Sequence, residues 1–201
     1  MIITFEGGEG AGKTTQASRL CSYLESKGLP WLSFREPGGS RFSEEVRALF
    51  FREGLDVMTE LLLVLASRRQ NIRELVNPAL DQGRIVVIDR FIDSTLVYQG
   101  IAGGLGIERV RKIMEDTGTW LEPDLSFVMD VEPSVALKRI EPGDKFERQG
   151  IDFHLRLRQA FLDTAQERRH HVIDTSRDRE EVEREIIILV DRFLTEHRAE
   201  K

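Results

Sequence analysis

The sequence predicts an α/β fold built on a parallel sheet. Two observations predict it. Short apolar runs alternate along the chain with helical patterns, and most of the runs lack the one-in-two alternation of a strand with one wet face. The candidate strands are Ile2–Phe5, Trp31–Phe34, Ile85–Asp89, Leu125–Val131 and His171–Asp174, each rich in β-branched or aromatic residues. A length of 201 residues fits one large domain (1–201), and a hydrophobic share of 40% is enough for a buried core.

Taken in order, Ile2–Phe5 ends at Gly7-Gly8, and a helix over Thr15–Lys27 follows. It sets Ala17, Leu20, Cys21 and Leu24 at i, i+3, i+4 and i+7, with Gly28 where a C-terminal cap belongs. After Trp31–Phe34 the next predicted helix is Thr59–Ala79, which Pro78 is expected to stop or bend. Helices Ser94–Tyr98 and Ile107–Thr117 separate the third and fourth strands, and Ser134–Arg139 follows the fourth. Glu141–Gly150 (EPGDKFERQG) is polar and carries Pro142, Gly143 and Gly150, so it reads as a mobile excursion. Helix Asp152–Arg168, the last strand and helix Arg179–Arg198 complete the chain.

A net charge of −6 argues against a broad nucleic-acid-binding face, although 29 lysines and arginines leave room for a local phosphate pocket. Cys21 is the only cysteine, so no intramolecular disulfide is expected, and it reads as a small buried hydrophobe. Met1–Phe5 has no basic leader, and no run approaches the ~18 apolar residues of a membrane span. The expectation is a cytoplasmic protein that binds neither membrane nor nucleic acid.

Gly7-Gly8-Glu9-Gly10-Ala11-Gly12-Lys13-Thr14 matches GxxxxGK[ST] between the first strand and the first helix. Glycines let successive backbone N–H groups turn inward on phosphate oxygens, and the helix N-terminus adds partial positive charge. Lys13 is placed to reach the outer phosphates of ATP and the Thr14 hydroxyl to ligate Mg²⁺, with Thr15 next on the helix. Asp89 ends a central strand, where an acid lies near such a loop and can hold the metal or its water. Arg90 follows it, and a guanidinium there can bridge an acceptor phosphate and the phosphoryl group in flight. No guanine-reading NKxD pattern occurs. Arg139, Lys145 and Arg148, with Arg156 and Arg158 nearby, suggest a basic lid over about 139–151 that closes on ATP and excludes water.

Several longer motifs are far more selective. FEGGEGAGKTTQ (Phe5–Gln16), REPGGS (Arg35–Ser40), ELLLVLASR (Glu60–Arg68), DRFIDSTLVYQG (Asp89–Gly100), PDL (Pro123–Leu125) and DKFE (Asp144–Glu147) occur in an order and spacing that resemble bacterial thymidylate kinases. The resemblance spans nearly the whole chain. It implies a three-layer P-loop NTPase fold with a five-stranded parallel sheet, a homodimer, and Mg²⁺-dependent transfer from ATP to dTMP, giving dTDP and ADP for dTTP biosynthesis. By the same resemblance, Arg35, Arg47 and Arg90 hold the acceptor phosphate, while Glu36 and Pro37 belong to its loop and join through a bond of the kind that can be cis. Glu9 approaches the acceptor's sugar or metal, and Arg68 reaches the base edge with Ser94, Thr95 and Gln99 near it. Tyr98 crowds the 2′ position of the sugar.

Four positions depart from the family pattern. Val64 stands where an aromatic residue usually stacks on thymine, one helical turn before Arg68; loss of such a stack costs ~1–3 kcal/mol. Ala102 and Gly103 replace a common glycine-arginine pair, and Lys145 replaces the arginine of the lid's DRxE pattern. Gly10 stands where one branch of the family carries an arginine, so the catalytic cation is expected from the lid, with Lys145, Arg139 and Arg148 available. Two other readings remain open from sequence: a kinase for a different nucleotide or small metabolite, and an ATP-binding regulatory module without transfer activity.

Overall fold

The computed structural model describes every residue except Pro142, Glu200 and Lys201. Five parallel strands form one sheet in the order β2-β3-β1-β4-β5: β1 (Ile2–Glu6), β2 (Trp31–Arg35), β3 (Ile85–Asp89), β4 (Leu125–Asp130) and β5 (His170–Asp174). All five predicted strands are present within one residue at either end. β1 is central, flanked by β3 and β4, so the loop that leaves its carboxyl end opens where crossovers depart to both sides. That is where ligands bind in open α/β sheets.

Helices cover both faces. On one, α1 (Lys13–Ser26) and α9 (Arg179–Ala199) pack Leu20, Leu24, Val182, Ile186 and Val190 against Ile3, Phe5 and Phe127. On the other lie α3 (Val57–Asn71), α4 (Asn77–Asp81), α5 (Ile92–Thr95) and α6 (Ile107–Asp116), which bury Leu61, Leu65, Ala79, Ile92 and Met114 against Ile2, Val86 and Ile88. Side chains pointing to either face of β1 and β3 are thus equally dry, which explains the absence of alternation in their sequences. Short α7 (Pro133–Ala136), a 3₁₀ turn over Leu137–Arg139 and α8 (Ile151–Thr164) frame the lid.

Five differences separate the observed elements from the predicted ones. The segment after the second strand folds as α2 (Arg41–Phe50), which was not predicted; Ser40 caps it by accepting from the Ser43 N–H, and Ser43, Val46 and Phe50 form its buried stripe. α3 starts two residues early because the Asp56 carboxylate accepts from the Thr59 N–H. Pro78 does not stop the next helix: a π-helical turn over Ile72–Val76 widens the backbone just before it, and α4 carries Pro78 in its first turn, where no N–H is needed. α5 likewise passes into a π-helical stretch over Leu96–Ala102, and α8 ends at Thr164 rather than Arg168.

Candidate active site

The loop after β1 is shaped by close packing. Gly7 has φ +127°, and a Cβ there would lie 2.6 Å from the Met129 carbonyl oxygen on β4. Gly10 has φ +68°, and a Cβ there would lie 2.2 Å from the Ala136 carbonyl oxygen. No side chain fits at position 10, so the arginine carried there by one family branch is excluded by α7. Gly12, also left-handed, is the N-cap of α1 and leaves the first N–H groups of that helix without a side-chain partner.

Lys13 is buried, and its Nζ donates to the Gly8 carbonyl at 2.6 Å. Burial first, and the nearby Arg90 charge second, pull its pKa down to about 8 against the opposing pull of Glu9, Asp89 and Glu6. The Thr14 hydroxyl donates to Asp89 Oδ2 at the end of β3. These are hard oxygen donors beside a phosphate loop, a set that suits Mg²⁺, which keeps several waters and takes its other ligands from phosphates.

Arg90 is the only non-glycine residue with a left-handed backbone among the described residues (φ 66°). Its N–H donates to the Phe5 carbonyl at 2.9 Å, which extends the β1–β3 ladder and turns the side chain back over the loop. There the guanidinium donates to the Gly7 carbonyl (3.0 Å) and to Glu9 Oε2 (2.7 Å), and it lies over the Tyr98 ring at 5.2 Å. The Tyr98 hydroxyl donates to the other Glu9 oxygen at 2.7 Å. Burial alone would raise the Glu9 pKa, but Arg90, Lys13 and the Tyr98 hydrogen bond outweigh it and hold the group down to about 2. Glu9 is therefore ionised at any working pH.

A second charged pair sits deeper. Arg68 is 1% exposed and Glu36 3%, and Arg68 Nε donates to Glu36 Oε2 at 2.8 Å. The same guanidinium donates to Thr95 Oγ1 at 2.8 Å and lies over Phe91 at 4.7 Å. Burial raises the Glu36 pKa, with Arg68 acting against it. Asn71 ties this pair to the loop after β2 and the start of α2 through the Gly38 carbonyl (2.7 Å), Ser43 Oγ (2.7 Å) and the Ser40 N–H (3.1 Å). The Glu36–Pro37 peptide bond is cis, and the Pro37 carbonyl accepts from Arg47 at 2.8 Å.

These groups face one continuous cavity of about 780 Å³. Its lining includes Glu9, Gly10, Ala11, Gly12, Lys13, Thr14, Thr15 and Asp89, together with Arg35, Glu36, Pro37, Arg47, Val64, Arg68, Arg90, Ser94, Thr95, Tyr98 and Gln99. Gly7 and Gly8 lie behind it, against β4, α7 and α8. Ser94 has a further duty, since its N–H and hydroxyl both donate to buried Glu6. Of the lid cations only Arg139 lines the cavity, where it donates to the Thr175 carbonyl at 3.1 Å. Lys145 pairs with Glu60, Arg148 pairs with Glu53 in solvent, and Arg158 is held by Asp130 and Glu132. Pro142 lies outside the described residues.

Sequence reasoning missed Phe50, Phe146 and the Thr175–Arg179 stretch of the cavity wall, as well as Asn71 and Glu60 behind it. The spacing of Arg47 and Phe50 at i, i+3 was the available signal for Phe50; Thr175–Arg179 is ordinary polar loop and offered none.

The thymidylate kinase family model matches residues 5–186. The chain belongs to the thymidylate kinase family. It is 41% identical to the thymidylate kinase of Symbiobacterium thermophilum, over 96% of this chain and 94% of that one. Identity to the Bacillus velezensis thymidylate kinase is 40%, over 96% of each chain. Among solved structures, the thymidylate kinase of Ehrlichia chaffeensis superposes with a TM-score of 0.78 at 36% identity, covering 95% of this chain and 98% of that one. Family membership supports the thymidylate kinase reading over a kinase of different acceptor and over a binding-only module.

Proposed function

We propose that the protein transfers the γ-phosphoryl group of ATP to the phosphate of dTMP, giving dTDP and ADP. The observation that carries this reading is the meeting of two sites in one cavity. The phosphate loop with Lys13 and Thr14 adjoins a pocket where Arg68, Thr95 and Gln99 can read a base edge, and Arg90 stands between them.

In this reading Arg35, Arg47 and Arg90 hold the acceptor phosphate, and Glu36 and Pro37 shape the loop that presents it. The left-handed backbone of Arg90 aims its guanidinium at the junction between acceptor phosphate and transferring group. Glu9, kept ionised, accepts a hydrogen bond from the sugar 3′-hydroxyl. Tyr98, fixed by that same carboxylate, occupies the space of a 2′-hydroxyl. Backbone N–H groups of Gly7–Thr15 and the Lys13 ammonium take the ATP phosphates. Thr14 and Asp89 would hold Mg²⁺, which when bound would neutralise charge on the phosphate chain. A dTMP phosphate is already ionised at neutral pH, so no general base is required; an acceptor oxygen attacks in line and ADP leaves.

A lid cation completes charge stabilisation. Arg139 already borders the cavity, while Lys145 and Arg148 join it only by leaving Glu60 and Glu53. The homodimer is also part of the proposal, supported by exposed Phe42 and Leu49 on α2 and Leu62 on α3. No described helix is long and apolar enough to cross a membrane, and a lone buried cysteine suits a reducing cytoplasm.

ADP production with ATP and Mg²⁺ across dTMP, dUMP, UMP, CMP, AMP and GMP tests the function. Strong preference for dTMP is the expected result; preference for another acceptor, or none with any, overturns it.

A further inference from the structure

Val64 leaves the acceptor-base pocket without an aromatic wall on α3, although Val64 itself is buried and lines the cavity. Four phenylalanines line the same cavity: Phe50, Phe51, Phe91 and Phe146. Two are already engaged by arginines. Arg68 lies over Phe91 at 4.7 Å, with Phe91 only 1% exposed, and Arg47 lies over Phe51 at 4.6 Å. Phe146 belongs to the lid segment rather than to a helix of the pocket. Phe50, on α2 and 5% exposed, carries Lys145 rather than an arginine over its ring.

Its position follows from helical spacing. α2 carries Arg47 and Phe50 at i, i+3, so both side chains project from one face of that helix. α3 carries Glu60, Val64 and Arg68 at i, i+4 and i+8, one stripe of which Val64 and Arg68 line the cavity, while Ser67 and Asn71 meet Ser43 of α2. Lys145 links the two faces, since its Nζ lies 4.9 Å from the Phe50 centroid and pairs with Glu60. Arg47, Phe50, Val64 and Arg68 all line the one cavity, so a nucleotide whose phosphate meets Arg47 and whose base edge meets Arg68 runs past both Phe50 and Val64. Phe146 stacks on Phe50 at 5.9 Å and 29°, and meets the Tyr98 ring edge-on at 5.2 Å, so the lid extends the same aromatic surface.

We propose that Phe50 supplies the aromatic face for the acceptor base, from the helix opposite the position where the family's stacking residue stands. The inference rests on the dTMP reading and names the residue that sets its base affinity. On this proposal the aromatic wall sits on α2, with the slimmer Val64 on α3 lining the same cavity. The pair is expected to act as a unit, because enlarging one side compensates for thinning the other.

The test is a double-mutant cycle of Phe50→Leu and Val64→Phe, read as KM for dTMP and for ATP. Phe50→Leu is expected to raise KM for dTMP about tenfold or more, with KM for ATP unchanged. Adding Val64→Phe is expected to restore most of the loss. The affinity of dTMP relative to 2-deoxyribose 5-phosphate, which lacks the base, is expected to fall by the same factor in Phe50→Leu. If that variant does not fold, Phe50→Met, which keeps the volume without the ring, carries the same readouts. Unchanged KM for dTMP in the single variant, or no recovery in the double, overturns the role of Phe50. A wild type without acceptor-dependent turnover overturns the dTMP reading and the base slot with it.

Discussion

Replacing Arg68 with Met tests the buried pair at the floor of the pocket. Methionine fills much of the arginine's length but leaves the Glu36 carboxylate, 3% exposed, with only a 3.4 Å contact to Asn71 Nδ2. Stranding a buried charge costs about 3–5 kcal/mol, and the low end applies because Glu36 can take up a proton instead. A loss of about 3 kcal/mol in a chain of this size lowers Tm by roughly 6–12 °C. The sign of the pH dependence follows from linkage. In the variant the folded Glu36 pKa is raised further above the ordinary 4.5 that it keeps when unfolded. A raised acid is no cost below its unfolded pKa and an increasing cost as pH climbs above it. The deficit relative to wild type should therefore be small near pH 4.5 and largest at neutral pH and above. Glu36→Gln in the same chain should recover most of it. Thermal melts of the three proteins at pH 5 and pH 7.5 make the measurement. A Tm within about 2 °C of wild type, or a deficit equal at both pH values, would refute the electrostatic account of this pair.

Lys13→Ala should remove nearly all acceptor-dependent turnover while leaving Tm unchanged or higher, because the ammonium is buried at a solvation cost; turnover assays beside melts decide it. The depressed Lys13 pKa predicts that kcat/KM for ATP, which reports the free enzyme, falls as pH rises above about 8, and a profile flat to pH 9.5 would contradict the burial argument. Gly10→Arg should not give a working loop cation: with 2.2 Å between the new Cβ and the Ala136 carbonyl, it should lower both Tm and ATP affinity, as calorimetry and nucleotide titration would show.

Much of this was legible in the sequence because it is local. Strands covered on both faces announce themselves by unbroken apolar runs, and the phosphate loop by its glycines. What escaped depends on contacts between distant segments. α8 was extended to Arg168 since nothing in Ala165–Arg168 opposes a helix. The chain breaks there because Arg169 is drawn to the buried Asp93 carboxylate, donating at 2.8 and 2.7 Å, and His170 Nδ1 accepts from the Glu167 N–H at 3.1 Å. α2 was different: its cap and apolar stripe were readable, but they follow directly on a glycine-rich acceptor loop. In the site, most motif residues line the cavity, with Gly7 and Gly8 behind it and Lys145 turned to Glu60, while the partners of the lid cations could not be read, since Glu53 and Glu60 lie some ninety residues away.

The cavity that joins the phosphate loop to the base pocket is unbroken, and this has a consequence for inhibitor chemistry. A single molecule carrying a phosphate chain at one end and a pyrimidine at the other can be anchored at both without crossing a protein wall. Once one end is seated, the other binds as an intramolecular event, so two weak anchors combine into a far tighter ligand when the tether matches the span. Arg90, which lines the cavity and already donates to Glu9, would govern the tether: a linker that carries an anion there can add charge-assisted hydrogen bonds that a neutral one cannot.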